Sequence, residues 1–278
     1  MSNECVASQA AFLRWPGGKR WASPILAPMI RKHLTGTYFE PFLGGGSIFF
    51  ALAPPRAVLS DINGDLINTF KIVKHHPESL VRRLRLLPVT SSFYYEMRDE
   101  EPTAAISRAV RFLYLNRTCF GGIYRENARG LFNVPYGGGC RTPDILWNRK
   151  LISNAAGALK CAELLSGDFE QTMNRAGRGD VVYCDPTYTV AHDNNGFVRY
   201  NERNFSWRDQ ERLADSATRA ASRGATVLVS NAHHRSVRSL FRPQRCWALE
   251  RISRVSAAPE GRRAVREYLF FWQGAQSR

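Results

Sequence analysis

The chain has 278 residues, of which 44% are hydrophobic and 12% aromatic, and its 39 Lys and Arg against 24 Asp and Glu leave a net charge of +15. That aromatic load excludes a disordered polyelectrolyte, and the apolar runs fall far short of the ~20 residues a membrane span needs. At ~100 to 200 residues per domain, one large domain or two unequal ones are expected.

The opening stretch MSNECVASQAAF has neither a basic n-region nor an apolar h-region, so a cytoplasmic protein is expected. Cys5, Cys119, Cys140, Cys161, Cys184 and Cys246 form no C-x-x-C pair. Reduced thiols are expected, with no metal site and no disulfide. The charge is unevenly spread. Residues 1–70 carry 6 basic and 4 acidic side chains, 71–150 carry 14 and 7, 151–234 carry 9 and 10, and 235–278 carry 10 and 3. Two blocks hold nearly all of the excess, the footprint of a polyanionic partner, with nucleic acid first among them. An arginine-rich coding bias is the competing explanation, since 33 of the 39 basic residues are Arg.

Short apolar runs alternate with helical periodicity, which predicts an α/β core. In chain order, strands are expected at 37–42 (TYFEPF), 56–61 (RAVLSD), 181–186 (VVYCDP) and 225–231 (ATVLVSN). Ile106, Val110, Leu113 and Tyr114 share one face of a helix over 104–116. The Gly-, Arg- and aromatic-rich segment 117–143 has the alternation and turn residues of a hairpin. Ser206 followed by Asp209 marks the start of a helix over 207–222, which Gly224 closes. The expected organisation is a first part of a catalytic domain at 1–70, an inserted, mostly helical basic domain with a hairpin arm at 71–150, and the rest of the catalytic domain at 151–278.

Two motifs carry chemistry. Phe42-Leu43-Gly44-Gly45-Gly46-Ser47 follows a predicted strand and precedes the helix-like run SIFFAL. Glycines there let backbone approach a ligand, and Asp61, closing the next strand, is an acceptor for ribose hydroxyls. A tight turn would use the same glycines. Asp185-Pro186-Thr187-Tyr188 ends the third strand, where open α/β sheets hold their ligands. A strand-to-turn cap is the bland alternative. The specific one is amine chemistry: the exocyclic amine of a purine is a poor nucleophile because its lone pair is delocalised. A carboxylate and a carbonyl that each accept one N–H would favour a pyramidal nitrogen, while Tyr188 stacks on a base taken out of the duplex.

Taken together, FLRWPGGK (12–19), FEPFLGGGS (39–47), SDIN (60–63), FLYLNR (112–117), RGLFNVPYG (129–137), VVYCDPTY (181–188) and SNA (230–232) resemble, in order, the motifs of the Dam-type, group alpha DNA adenine N6-methyltransferases. The resemblance spans roughly residues 12–273. It implies a Rossmann-like methyltransferase sheet with helices on both faces, S-adenosyl-L-methionine as cofactor, double-stranded DNA as partner, no metal and no membrane, and a monomer.

By the same resemblance, Trp15, Gly17, Gly18 and Lys19 meet the methionine part of the cofactor. Phe42, Gly44 and Gly46 form the loop beneath it, Asp61 holds the ribose, and Asp168 and Phe169 meet the adenine. Asp185, Pro186 and Tyr188 hold the target adenine, with Asp185 also bordering the cofactor. Arg14 and Arg125 match guanine-reading positions, Ile123 and Pro135 match positions that touch a thymine methyl, and Phe120 matches an aromatic beside the flipped base. Gly121 replaces an amide-bearing residue, and Thr187 stands where the family most often has a second Pro. The implied site is GATC or a relaxed version of it. Two other functions stay open at this stage: a DNA-binding relative that has lost activity, and a methyltransferase for RNA or a protein amide. The polar loop 189–206 is expected to be mobile without DNA.

Overall fold

A computed structural model describes residues 11–125, 127, 130–139, 142–189, 205–252 and 264–274. Seven strands, β1 (Tyr38–Glu40), β2 (Ala57–Asp61), β3 (Ala162–Ser166), β4 (Val181–Cys184), β5 (Thr226–Ala232), β6 (Arg245–Ile252) and β7 (Ala264–Trp272), form one sheet in the order β3-β2-β1-β4-β5-β7-β6. Strand β1 runs parallel to β2 and β4, and β4 parallel to β5, whereas β7 is antiparallel to both β5 and β6. The order reverses between β1 and β4. In such Rossmann-like sheets the crevice beyond the carboxyl ends of the two strands at the reversal is where ligands bind.

The chain divides into two compact units, one of residues 1–28, 44–55 and 61–167 and one of residues 29–43, 56–60 and 168–278. The second holds the central strands. All four residues of β4 and all seven of β5 are buried, the polar Thr226, Ser230 and Asn231 included, as befits the central strands of a largely parallel sheet. Helix α9 (Phe169–Met173) and helix α10 (Trp207–Ser222) pack together, and α10 turns Leu213, Ala217 and Ala220 inward. Beyond β5, helix α11 (Arg235–Leu240) leads to Phe241, whose ring stacks on Phe270 at 4.8 Å.

The first unit is mostly helical. Helices α3 (Gly64–His75), α4 (Pro77–Arg85), α5 (Ser91–Asp99), α6 (Ala105–Thr118), α7 (Pro143–Leu146) and α8 (Arg149–Leu159) follow the short α2 (Ser47–Leu52). Leu66, Phe70 and Val73 of α3 are buried, as are Val110, Leu113 and Tyr114 of α6, the helix it packs against. Phe12 meets Phe70 edge-on at 5.0 Å. The segment after α6 is an arm closed by backbone hydrogen bonds from Gly137 to Thr118, Phe120 to Pro135 and Asn133 to Arg125. Among the described residues Cys119 forms an antiparallel bridge with Tyr136, Phe132 also lies in a bridge, and the Asn127 N–H donates to the Leu131 carbonyl near the tip, as in the expected hairpin. Pro135 lacks an N–H and so accepts without donating, and Gly121, Gly122 and Gly138 take positive φ where the chain turns. Tyr hydroxyls tie the arm down: Tyr94 donates to the Val134 carbonyl at 2.8 Å and Tyr136 to that of Val89 at 3.3 Å.

The expected strands are present but trimmed where proline intervenes: β1 stops before Pro41, and β4 ends at Cys184, ahead of Asp185-Pro186. The expected helix over 104–116 runs as Ala105–Thr118, and that over 207–222 has the same bounds. Most of the loop 189–206 lies outside the described residues. Among the described residues no helix is long and apolar enough to cross a membrane.

Helix α10 begins with a complete capping box, in which Ser206 Oγ accepts the Asp209 N–H at 3.2 Å and Asp209 Oδ2 accepts the Ser206 N–H at 2.8 Å. Ser206→Ala removes that cap, and chemical denaturation should register a loss of about 1 kcal/mol, as N-cap replacements do.

Candidate functional site

In the first unit the glycine loop, the N-terminal motif and Asp61 come together. The Asp61 carboxylate takes the Gly44 N–H on Oδ2 at 2.9 Å and the Asn63 N–H on Oδ1 at 3.0 Å. The Ile62 N–H bears on the same carboxylate, which with four lone pairs in all retains accepting capacity. Burial pushes its pKa up, and the backbone donors only partly offset this. Asn63 caps α3 through the Leu66 N–H at 2.9 Å, so SDIN is at once a strand end, an acceptor and a helix start.

Gly44 and Gly46 adopt left-handed backbone, at φ 47° and 68°. A Cβ on Gly44 would lie 2.7 Å from Trp15 Cδ1, so the glycine is there to admit the indole. Trp15 in turn stacks on Tyr124 of the arm at 5.2 Å and 19° and on Phe112 of α6 at 6.3 Å and 25°. Gly17 also takes positive φ, and its carbonyl accepts from Lys19 Nζ at 3.2 Å. Lys19 is only 4% exposed. A Cβ on Gly18 would press on the Trp15 carbonyl at 3.2 Å.

The same unit gathers the residues expected to read bases. Arg14 is exposed, and its backbone is clamped by Asn116, which accepts the Arg14 N–H at 3.1 Å and donates to its carbonyl at 2.7 Å. A side chain on Gly122 would run into the Arg14 stem, so Arg14 lies against the arm. Phe120, at 61% exposure, and Ile123, at 37%, are apolar yet open to solvent, and Pro135 and Gly121 are exposed as well. Arg125 donates through Nε to Asn133 Oδ1 at 2.9 Å.

In the second unit Phe42, Phe169 and Phe205 form an aromatic cluster. Phe42 stacks on Phe169 at 5.3 Å and 26°, and Phe205 meets Phe42 edge-on at 5.5 Å. Asp168 caps α9 through the Glu170 N–H at 2.9 Å and pairs with Arg212 Nη2 at 2.8 Å. Asp185 leaves β4 with Oδ1 buried, followed by buried Pro186, exposed Thr187 and half-buried Tyr188. Tyr188 donates its hydroxyl to Glu267 Oε2 at 2.9 Å, and Glu267 is 3% exposed on β7. Burial first, then the charge of Asp185, hold the phenols of Tyr183 and Tyr188 and the thiol of Cys184 well above their usual pKa values. Behind the motif runs a buried amide chain in which Asn231 Nδ2 donates to Gln210 Oε1 at 2.8 Å and Gln210 Nε2 to Thr189 Oγ1 at 3.3 Å.

The sequence of this chain matches the model of the D12 class N6 adenine-specific DNA methyltransferases over residues 15–256. The chain belongs to that family. Among its curated relatives, the DNA adenine methylase of Serratia marcescens is 34% identical over 272 residues, covering 95% of this chain and 98% of that one. The type II methyltransferase M1.LlaDCHI of Lactococcus lactis subsp. cremoris is 32% identical over 268 residues, with 93% of each covered. The DNA N-6-adenine-methyltransferase of Escherichia phage P1 is 33% identical over 245 residues, 84% of this chain but 31% of the phage protein. The protein is thus a DNA adenine methyltransferase of the D12 class, built on the mixed α/β sheet described above.

Five residues of these clusters escape sequence reasoning: Tyr124, Phe205, Gln210, Arg212 and Glu267. Gln210 had a signal, being a polar residue on the apolar face that Leu213, Ala214 and Ala217 share. Glu267 had no such signal, since AVREYLFFW sets it beside Arg266 among apolar residues. Tyr124, Phe205 and Arg212 had none, because each matters through a partner distant in sequence.

Gly44→Ala forces a left-handed alanine and a clash with the indole of Trp15. Thermal unfolding should report a loss of about 1 to 3 kcal/mol. Retention of parental stability would mean that the indole moves aside freely.

Proposed function

We propose that this D12 methyltransferase moves the methyl group of S-adenosyl-L-methionine to N6 of an adenine flipped out of duplex DNA, within GATC or a relaxed form of it. The observation that carries this reading is the Asp185-Pro186-Thr187-Tyr188 turn leaving β4 beside the reversal in strand order, where open α/β sheets bind ligands. We assign residues 71–150 the role of the target-recognition insert.

The residues suit the cofactor. Asp61 retains accepting capacity for the ribose hydroxyls, Lys19 offers a buried ammonium for the methionine carboxylate, and Trp15, Gly17 and Gly18 line the same motif. Gly46 keeps the loop backbone bare for approach, and Gly44 seats Trp15 beside it. Phe169, backed by Phe42, offers apolar contact for the adenine, and Asp168 an acceptor for its amine. When bound, S-adenosylmethionine supplies an electrophilic methyl group on a sulfonium sulfur.

The target amine needs its lone pair released from the purine ring. Asp185 accepts one of its N–H groups and the Pro186 carbonyl accepts the other. With both protons held, the nitrogen is pyramidal and its lone pair points outward. Asp185 also holds the proton that the nitrogen sheds on becoming a secondary amine. Tyr188, tethered through its hydroxyl to Glu267, presents its ring for stacking on the flipped base. Thr187 preserves both acceptors and relaxes only the stiffness that a second proline would add.

Arg14 and Arg125 are assigned to guanine, whose O6 and N7 a guanidinium meets bidentately in the major groove. The Asn133 contact uses Nε of Arg125, leaving both terminal amines for the base. Ile123 and Pro135 are assigned to thymine methyls, Phe120 to the stack beside the flipped base, and Gly121 to the close approach of the arm.

Asp185→Ala should abolish methyl transfer while calorimetric cofactor affinity largely survives. Asp61→Ala should do the reverse, weakening cofactor binding by roughly 1 to 3 kcal/mol through unpaired ribose hydroxyls. Parental turnover by the Asp185 variant would overturn the catalytic assignment.

Sequencing of methylated adenines in DNA from cells expressing the chain should return a guanine-flanked adenine motif. Arg125→Ala should relax one outer position, with about 1 to 3 kcal/mol of discrimination lost there. A map without guanine preference on either side would defeat the base-reading assignment.

A further inference from the structure

One guanidinium in the second unit touches both residues assigned above to the cofactor's adenine. Arg212 Nη2 donates to Asp168 Oδ1 at 2.8 Å and to Glu170 Oε2 at 2.8 Å, while Nη1 donates to Asp209 Oδ1 at 2.8 Å. Its Cζ lies 4.9 Å from the centre of the Phe169 ring, within cation–π range. The partners are themselves anchored: Asp209 belongs to the capping box of α10, and Glu170 Oε1 accepts from Ser216 Oγ at 3.0 Å and Arg219 Nη2 at 2.9 Å.

The pattern on Asp168 separates this from an ordinary surface ion pair, which would contribute little. Both of its hydrogen bonds, from the Glu170 N–H and from Arg212, fall on Oδ1. Among the described residues Oδ2 has no hydrogen-bond partner, and the side chain is 35% exposed. The carboxylate is therefore turned and held, with one oxygen committed and the other presented.

We propose that Arg212 is the positioning residue for the cofactor's adenine, fixing Asp168 so that Oδ2 accepts a hydrogen bond from the 6-amino group and holding Phe169 in place for its apolar contact with the ring. This rests on the assignment of Asp168 and Phe169 to the adenine. It makes Arg212 a determinant of which purine the enzyme accepts, acting through residues that it holds.

The test measures calorimetric affinity for S-adenosylhomocysteine and for its analogue lacking the 6-amino group, in the full chain. The parent should prefer the amine-bearing ligand, and Asp168→Ala should abolish the preference. Arg212→Met and Arg212→Lys should each cut it by about tenfold, because neither side chain has the planar fork that orients the carboxylate. Glu170→Gln, which weakens the ion pairs but leaves Arg212 on Asp168, should lower stability and keep the preference. Arg212→Lys keeps the charge and supplies a folded variant should Arg212→Met fail to fold.

If Asp168→Ala abolishes the preference and the Arg212 variants keep it, Asp168 meets the adenine without help and the proposal falls. If Asp168→Ala itself retains the preference, the assignment of Asp168 falls and takes the proposal with it. Equal losses for Arg212→Lys and Glu170→Gln would mean that the network acts only through stability, which also overturns the proposal.

Discussion

A buried carboxylate tied to its own backbone is the constraint on which the glycine loop and the N-terminal motif depend. Asp61 draws in the Gly44 N–H on one side and the Asn63 N–H on the other. The glycine loop, the end of β2 and the start of α3 therefore share one anchor. Burial makes that charge costly, as its raised pKa records, so the anchor holds because its donors are fixed amides rather than water. From the loop so anchored the order passes outward by packing: Gly44 admits Trp15, and Trp15 stacks on Tyr124, the neighbour of Ile123 and Arg125 in the arm. The N-terminal motif is thus the contact surface between the glycine loop and the arm, a role that a tryptophan serves through area and flatness.

The second unit solves a different problem, how to keep several acidic and phenolic groups together at the end of a parallel sheet. Glu40 and Glu267 are buried, and each accepts from a tyrosine hydroxyl, Tyr38 and Tyr188 respectively, at 2.9 Å. The phenols stay protonated because burial and neighbouring carboxylates push their pKa values up, so they remain donors throughout the neutral range. Asp185 sits in this company with its own charge felt by Tyr183, Cys184 and Tyr188. Gln210 and Asn231 close the back of the motif with neutral amides, which satisfy buried backbone and hydroxyl groups without adding charge.

Much of this was legible in the order of residues. Hydrophobic runs ending in polar or turn residues located β1, β2, β4 and β5, since turn chemistry is local. The Ser206–Asp209 signature located α10 for the same reason. Strands β3, β6 and β7 were not legible: RCWALERI and AVREYLFFW mix charged and apolar residues, and their strand character comes from antiparallel pairing with each other and with β5. The arm was legible as a turning, Gly-rich excursion. Its tyrosine ties, Tyr94 to Val134 and Tyr136 to Val89, depend on α5 and the chain ahead of it, which no local pattern reports.

By itself the sequence determined the chemistry on offer: a carboxylate after β2, a D-P-T-Y turn after β4, arginines and apolar residues in the arm, and a basic excess in two blocks. Those follow from residue type and short spacing, which are covalent facts. The tertiary structure alone decided that Gly44 exists to receive Trp15, that Tyr188 leans on an acid 79 residues away, and that Asp168 is turned by an arginine 44 residues away. Such contacts join parts of the chain that only folding brings within hydrogen-bonding range, so their energies are absent from any window of sequence.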